Sequence, residues 1–308
     1  MKKRLIVIAL GGNALIKRGE EGTYEEQLGN LRRIAHFLIR LAKEYKVILT
    51  HGNGPQVGAL CIQQEMCKSE VPAQPLHVCV AMTQAQIGYM IQQALNSVNP
   101  DLRVSVVITR VLVSPEDPAF RRPTKPIGPY YTLERAKRLE KERGWFFVEV
   151  PGRGYRRVVP SPKPLRIIDL DVIKHMLDCC DVVVAGGGGG IPVVVRGGVY
   201  EGVDAVIDKD ATSSLLAEEL GAEKLVIVTD VEGVYLNYGS PEQVLLREVS
   251  VKDMKRYMSE GHFPPGSMGP KVEAAVRFVE RTGKTAVIGL LERLEEVVEG
   301  RGTVIKPC

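Results

Sequence analysis

Residues 181–195 read DVVVAGGGGGIPVVV, five consecutive glycines between two apolar runs. Glycine loses more backbone freedom on folding than any other residue, roughly 0.5–1 kcal/mol relative to alanine in regular structure. Five in succession therefore need a cause. Two readings stand: a conformational turn, or a loop whose bare N–H groups approach a ligand too closely for any Cβ. The run before the glycines is apolar at every position, as expected of a strand covered on both faces of a parallel sheet.

The same junction occurs twice more, in RLIVIALGGNAL (4–15) and YKVILTHGNGPQVG (45–58). Two further apolar strands, KLVIVTD (224–230) and TAVIGLL (285–291), follow later. Helical patterns lie between them. Thr23 and Glu26 suit a capping box, and Leu28, Leu31, Ala35, Leu38, Ala42 and Tyr45 step along one face. TSSLLAEELGA ends at Gly221 as a C-terminal cap, and Pro270 opens KVEAAVRFVERTG. Alternating strand and helix predicts an α/β fold, a three-layer αβα sandwich around a mostly parallel open sheet.

We read residues 1–308 as a single domain. Hydrophobic residues at 44% and charged residues at 25% exclude disordered, collagenous and coiled-coil classes. The opening MKKRLIVIALGGNAL resembles a signal peptide, but its apolar part is short and lacks a small-x-small cleavage site, so it reads as a strand. No apolar run approaches the ~18 residues of a membrane span, and the expected location is the cytoplasm. Six cysteines (Cys61, Cys67, Cys79, Cys179, Cys180, Cys308) form no CxxC pair and read as free thiols. The spacing of Cys61, Cys67, His77 and Cys79 matches no standard zinc finger or ribbon.

One segment departs from the pattern. Residues 114–168 hold nine of the nineteen prolines and thirteen Lys/Arg against six Asp/Glu, so this stretch outweighs the chain's whole net charge of +4. It reads as a basic, proline-stiffened lid or protruding subdomain inserted in the domain, over an anionic site. Its aromatics leave an RNA-binding reading open, but no RRM, KH or helix-turn-helix signature accompanies them.

The glycine loops fail the two best-known phosphate signatures. G-x-G-x-x-G breaks at Ile191 and Pro192, and GKT at 283–285 lacks the P-loop glycine and leads into a strand. They still sit where open α/β sheets bind ligands, at strand C-terminal ends. Three lysines lie near them. Lys209 stands between two aspartates in VIDKDATSSLL, a pattern that could equally be a solvated charge cluster. Lys271 stands in the first turn of a helix, where the macrodipole disfavours a cation and a bound anion would relieve it. Lys125 lies between Pro123 and Pro126 on a stiff loop. Together they point to a polyphosphate site.

In order along the chain, ALGGNAL, THGNGPQVG, VPAQPLHVCVAMTQAQIGYMIQQAL, DPAFRRPTKPIGPYY, GRGYRRVVPSPKP, GGGGGIPVV, AVIDKDATSSLLA, TDVEGVY and GHFPPGSMGPKVEAAVRF resemble the motifs of carbamate kinases, of the amino acid kinase fold, from Leu5 to about Ile288. The resemblance implies ATP + carbamate ⇌ ADP + carbamoyl phosphate with Mg²⁺, in a homodimer, running toward ATP in arginine or purine catabolism or toward carbamoyl phosphate for biosynthesis. Carried onto matching positions, it implies that Gly11, Gly12, Asn13, Gly52, Asn53 and Gly54 line the transferred phosphoryl group and carbamate. Lys209 and Lys271 would hold phosphates, Asp210 would organise the lysines, and Lys125 would reach in from the lid. Thr229, Asp230 and Met268 would lie towards the nucleotide. The family often has serine where Thr83 stands and phenylalanine where Tyr130 stands.

Gly187, Gly188 and Gly189 are then expected to bring backbone amides to the substrate end of the cleft, with the conformational turn as the alternative. Phosphoryl transfer is mostly positioning and charge neutralisation, and carbamate is already an anionic nucleophile. No general base is required, so His51 is assigned a structural hydrogen bond, and no protein metal ligands are expected. Other enzymes of this fold, acting on glutamate, aspartate or UMP, remain the alternative, and KPIGP argues against them. A nucleotide-binding regulatory module is a second alternative. It would not need Lys125, Lys209, Asp210 and Lys271 together.

Overall fold

The computed structural model describes residues 3–17, 19–264 and 266–307, and Cys308 lies outside them. At its centre is an eight-stranded sheet ordered Glu248–Ser250, Thr303–Lys306, Thr285–Leu290, Lys224–Thr229, Arg4–Leu10, Tyr45–His51, Val182–Val184, Val104–Val106. From Thr285–Leu290 to Val104–Val106 all pairings are parallel, and Thr303–Lys306 runs antiparallel to Thr285–Leu290.

Why the strands are apolar throughout is visible in their packing. Along Arg4–Leu10, Val7 and Ala9 join one buried cluster while Ile6, Ile8 and Leu10 join another. The first cluster contains residues of helices Lys209–Glu219 and Met268–Thr282, the second residues of helices Tyr24–Glu44 and Leu76–Val98. Side chains alternate across a strand, so covering both faces demands apolar residues at consecutive positions. The result is the three-layer αβα sandwich. The parallel strands also end on one edge of the sheet, where their glycine loops and the starts of helices Lys209–Glu219 and Met268–Thr282 are gathered.

Local signals behave as expected at most ends. Thr23 and Glu26 close a full capping box on helix Tyr24–Glu44, and Gly283 caps helix Met268–Thr282 in the left-handed conformation. Two positions differ. Tyr45 continues the helical stripe in sequence, but it opens the strand Tyr45–His51 because its register with Arg4 begins there. Pro270 is the third helical residue, not the first; N–H groups in a first turn have no helical partner, so proline is tolerated there.

The basic segment builds a separate three-stranded antiparallel sheet, Lys125–Tyr131, Gly154–Val159 and Phe146–Val150, with helix Leu133–Arg143. Lys125 is therefore not on a loop. Its strand is an edge of that sheet, with a register shift between Ile127 and Tyr130, and edges and bulges are where strand prolines such as Pro126 and Pro129 are tolerated. Arg166–Ile167, near the end of the basic segment, pairs instead with Val111 and Leu112. The aromatics are stacked by arginines of the same region: Arg157 lies 3.6 Å from the Trp145 ring centroid, and Arg153 lies 4.4 Å from that of Tyr130. The sheet meets the body at helix Gly54–Met66, where a Cβ on Gly58 would stand 1.9 Å from the Gly128 Cα. Gly58 must be glycine for the two backbones to approach this closely, and Gly128 has a φ of 72°, which favours glycine.

Among the described residues, no helix is long and apolar enough to cross a membrane. Cys61, Cys67, Cys79, Cys179 and Cys180 are free thiols.

Candidate active site

The helix Lys209–Glu219 begins at the sheet edge with Asp208 as its N-cap. Asp208 Oδ1 accepts from the backbone N–H groups of Asp210 and Ala211, at 2.9 and 3.3 Å. This cap fixes the first turn, and with it two buried side chains, Lys209 and Asp210. Lys209 donates from Nζ to Asp210 Oδ1, and Lys271 Nζ donates to Asp210 Oδ2 at 3.0 Å. Both carboxylate oxygens of Asp210 are thus occupied by ammonium groups from the starts of two different helices. The third lysine, Lys125, reaches across from the small sheet to Asp208 Oδ2 at 2.5 Å.

Charge states follow from these contacts. Burial alone would raise the Asp210 carboxyl, but Lys209 and Lys271 outweigh it and hold it well below the usual carboxylate range. Burial depresses Lys209 to about 8, against the pull of Asp210 and with the repulsion of Lys271. For Lys271, burial is outweighed by Asp210 and the net shift is upward. Three ammonium groups face two carboxylates, which leaves the cluster one positive charge in excess at neutral pH. An excess of positive charge in a partly buried cavity favours an anion.

Two adjoining cavities meet at Lys271. One, of about 210 Å³, is lined by Gly12, Gly52, Asn53, Gly54, Gly188, Lys125, Asp208, Lys209, Asp210 and Lys271. A Cβ on Gly12 would meet no protein atom within 4 Å, so the bare backbone there opens onto space. The other, of about 390 Å³, is lined by Gly11, Gly12, Asn13, Thr229, Asp230, Met268 and Lys271, with Tyr235, Tyr238 and Phe263. Asn13 donates to Asp230 at 3.0 Å, and Thr229 donates to the other oxygen of Asp230 at 3.1 Å. Lys271 and Gly12 belong to both cavities. A nucleotide with its base among aromatic and aliphatic side chains would direct its phosphates from the larger cavity to the smaller.

Four of the pentaglycine residues have positive φ, from 62° at Gly188 to 89° at Gly190. A Cβ at Gly187 would stand 2.3 Å from His51 Nε2, at Gly188 2.2 Å from Asn53 Nδ2, and at Gly189 2.2 Å from the Ile207 carbonyl oxygen. Of the three, only Gly188 lines the smaller cavity; Gly187 and Gly189 pack behind it against protein. Backbone conformation and close protein packing thus demand most of the run. His51, beneath it, is fully buried, with Nδ1 3.0 Å from the Gly52 carbonyl and Nε2 without a partner. Burial pushes its imidazole down to about 4, so it is neutral at physiological pH.

The structure therefore brings Lys125, Lys209, Asp210, Lys271, Gly12, Gly52, Asn53, Gly54 and Gly188 around one cavity and Gly11, Asn13, Thr229, Asp230 and Met268 around its neighbour. Sequence reasoning missed Asp208 and the aromatic wall of Tyr235, Tyr238 and Phe263. The N-cap position of the first aspartate in VIDKDATSS could have marked Asp208; nothing local joins Tyr235 and Tyr238 to Phe263 as one aromatic wall.

Lysines gathered by carboxylates and glycine loops at the C-terminal edge of a parallel sheet define an enzyme of phosphoryl transfer. The chain belongs to the amino acid kinase family, whose sequence profile matches residues 4–289. More particularly, it is 50% identical over 307 residues to a carbamate kinase of Thermococcus kodakarensis, covering 96% of each chain. It is 48% identical to a carbamate kinase of Pyrococcus furiosus over the full length of both. The solved carbamate kinase of Giardia lamblia bound to AMP-PNP superposes with a TM-score of 0.91 at 43% identity, over 99% of both chains.

Proposed function

We propose that the protein is a carbamate kinase, catalysing ATP + carbamate ⇌ ADP + carbamoyl phosphate. The observation that carries this reading is the convergence of Lys125, Lys209 and Lys271 with Asp208 and Asp210 on one cavity that opens into a nucleotide-sized one. Near-full-length identity of about half the residues to carbamate kinases supports carbamate over other acceptors.

Each residue has a task within the chemistry. Lys271, shared by both cavities, grips the phosphate that stays with the nucleotide as well as the one that moves. Lys209 neutralises charge on the transferred group, and Asp210 holds both ammonium groups in place so that no reorganisation accompanies transfer. The backbones of Gly12, Gly52 and Gly54, with Asn53, pack around carbamate and the phosphoryl group. Carbamate attacks through an oxygen that already carries charge, so no proton is removed; the neutral, buried His51 is consistent with that. Lys125, brought by the small sheet acting as a lid, adds the third cation.

Magnesium fits this donor set as an ion carried by the nucleotide. Both oxygens of Asp210 are taken by lysines, and among the described residues no group of three or more His, Cys, Asp or Glu side chains is arranged to hold a metal alone. Mg²⁺ is commonly bound through substrate phosphates in this way, and it would offset charge on their oxygens. We further place the enzyme in the cytoplasm, as a homodimer; exposed Met82 and Tyr89 on helix Leu76–Val98 supply apolar surface for such a contact.

The direct test is ATP formation from ADP and carbamoyl phosphate, run beside acetyl phosphate and glutamyl phosphate. We expect turnover with carbamoyl phosphate and its loss in excess EDTA. Preference for either of the other donors would overturn the reading.

A further inference from the structure

Asp208 lines the smaller cavity but, unlike Asp210, makes no hydrogen bond to Lys209 or Lys271. Its two oxygens have separate partners. Oδ1 caps the helix through the N–H groups of Asp210 and Ala211, and Oδ2 receives Lys125 Nζ at 2.5 Å. The same helix start therefore carries two carboxylates two residues apart. Asp210 orients Lys209 and Lys271 within the body, and Asp208 contacts the lysine that arrives from the small sheet.

The other anchors of that sheet include the Gly58–Gly128 backbone contact, a salt bridge of 3.0 Å from Arg143 to Glu65, and the buried packing of Ile127 and Val159 with Val57 and Val206, of which Ile127 and Val206 also line the cavity. These hold the strand, but none makes a polar contact with the far end of the Lys125 side chain, which Asp208 receives. An ammonium group has three donors. One directed to Asp208 leaves two for an anion in the cavity, so the pair need not break for Lys125 to act.

Resting on the carbamate kinase reading above, we propose that Asp208 is the positioning residue for Lys125, fixing its ammonium group over the transferred phosphoryl as Asp210 fixes those of Lys209 and Lys271. Its action is on geometry in the transition state and passes chiefly through Lys125, its side-chain hydrogen-bond partner, with only through-space attraction to Lys209 and Lys271. The nucleotide cavity does not include Asp208, so ADP binding should change little without it.

Asp208→Asn separates the two duties, because asparagine caps a helix as well as aspartate does yet carries no charge. The expected result is a fall in kcat of about 100-fold, the scale of a misplaced catalytic group, with the ADP dissociation constant and the melting temperature unchanged. The decisive readout is the same substitution in a Lys125→Ala background, where it should cost less than about twofold because its target is gone. A merely structural role would instead lower the melting temperature and persist in that background. If the Asn variant does not fold, Asp208→Ser, which retains a capping oxygen, takes its place in the same cycle. Activity of the Asp208 variant within twofold of the unaltered protein, or full multiplication of the two losses, would overturn the proposal while leaving the reaction intact. Absence of turnover in the unaltered protein would instead overturn the reaction itself, and this inference with it.

Discussion

The lysine cluster of the body and the lysine of the small sheet use the same chemistry in opposite surroundings. Side chains of Lys209, Lys271 and Asp210 are 10%, 16% and 4% exposed, whereas Lys125 and Asp208 are 29% and 24% exposed. The first group is held at two helix starts at the edge of the sandwich; the second joins a small sheet to the body at the cavity. Burying charges costs several kcal/mol per ion and is sustained only by good pairing. The body bears that cost continuously, so its cations are preorganised for every bound state. The small sheet leaves its cation partly hydrated, which suits a contact that matters only while a phosphoryl group moves.

The difference can be broken first at Lys209. Lys209→Met leaves Asp210 with one ammonium partner in a buried setting, so both fold and rate should suffer. We expect kcat to drop about 1,000-fold and stability to fall by about 3–5 kcal/mol, read by steady-state kinetics and urea denaturation. A loss of rate with unaltered stability would make the body no different from the small sheet.

Gly58→Ala addresses the other side. The added Cβ must push the Gly128 backbone away, displacing the strand that carries Lys125, while alanine improves helix propensity by about 1 kcal/mol. A decrease in kcat of roughly 10- to 100-fold is expected together with a lowered melting temperature, because the clash is with backbone and the helix gain offsets only part of it. Unchanged kcat would mean that the small sheet can move without consequence.

Acidity sharpens the comparison. Lys209 sits at about 8 while Lys271 is shifted upward, so raising pH discharges Lys209 first. The charged form is the one that binds phosphate. In the free enzyme kcat/KM for ADP should therefore decline above about pH 8, and a bound oligoanion should move the corresponding limb of kcat to higher pH. His51, at about 4, is already neutral and should add no inflection between pH 5 and 7. A pH-rate profile flat to pH 10 would contradict the assignment. The smallest effect is expected at Arg143→Ala, which removes a surface ion pair worth at most about 1 kcal/mol. Activity should change less than about twofold, and thermal denaturation should show a shift of a few degrees at most.

Much of the sandwich was legible in the sequence because its central strands are buried on both faces, which leaves a continuous apolar signature in RLIVIAL, VILT and VVVA. Val104–Val106 and Glu248–Ser250 were not, being only three residues long, and Thr303–Lys306 lies beyond the parallel part of the sheet. Pro126 and Pro129 concealed the strand Lys125–Tyr131, since edge pairing uses only one side of the backbone. The site's glycines and lysines were visible as local oddities. Their partnership was not, because Lys125 and Asp208 are separated by 83 positions and Lys271 and Asp210 by 61. The pentaglycine run shows the limit most clearly: its composition signals close approach, but only the fold reveals that most of the approaching atoms are His51, Asn53 and Ile207.

The claim that the body binds and the small sheet acts in the transition state is tested most directly by ADP calorimetry on Lys271→Ala and Lys125→Ala, with kcat measured on the same preparations. The account predicts that Lys271→Ala weakens ADP binding and slows turnover together. Lys125→Ala should lower kcat by about 100-fold while binding ADP as the unaltered protein does. Equal weakening of ADP binding in the two variants, or an intact kcat in Lys125→Ala, would contradict it.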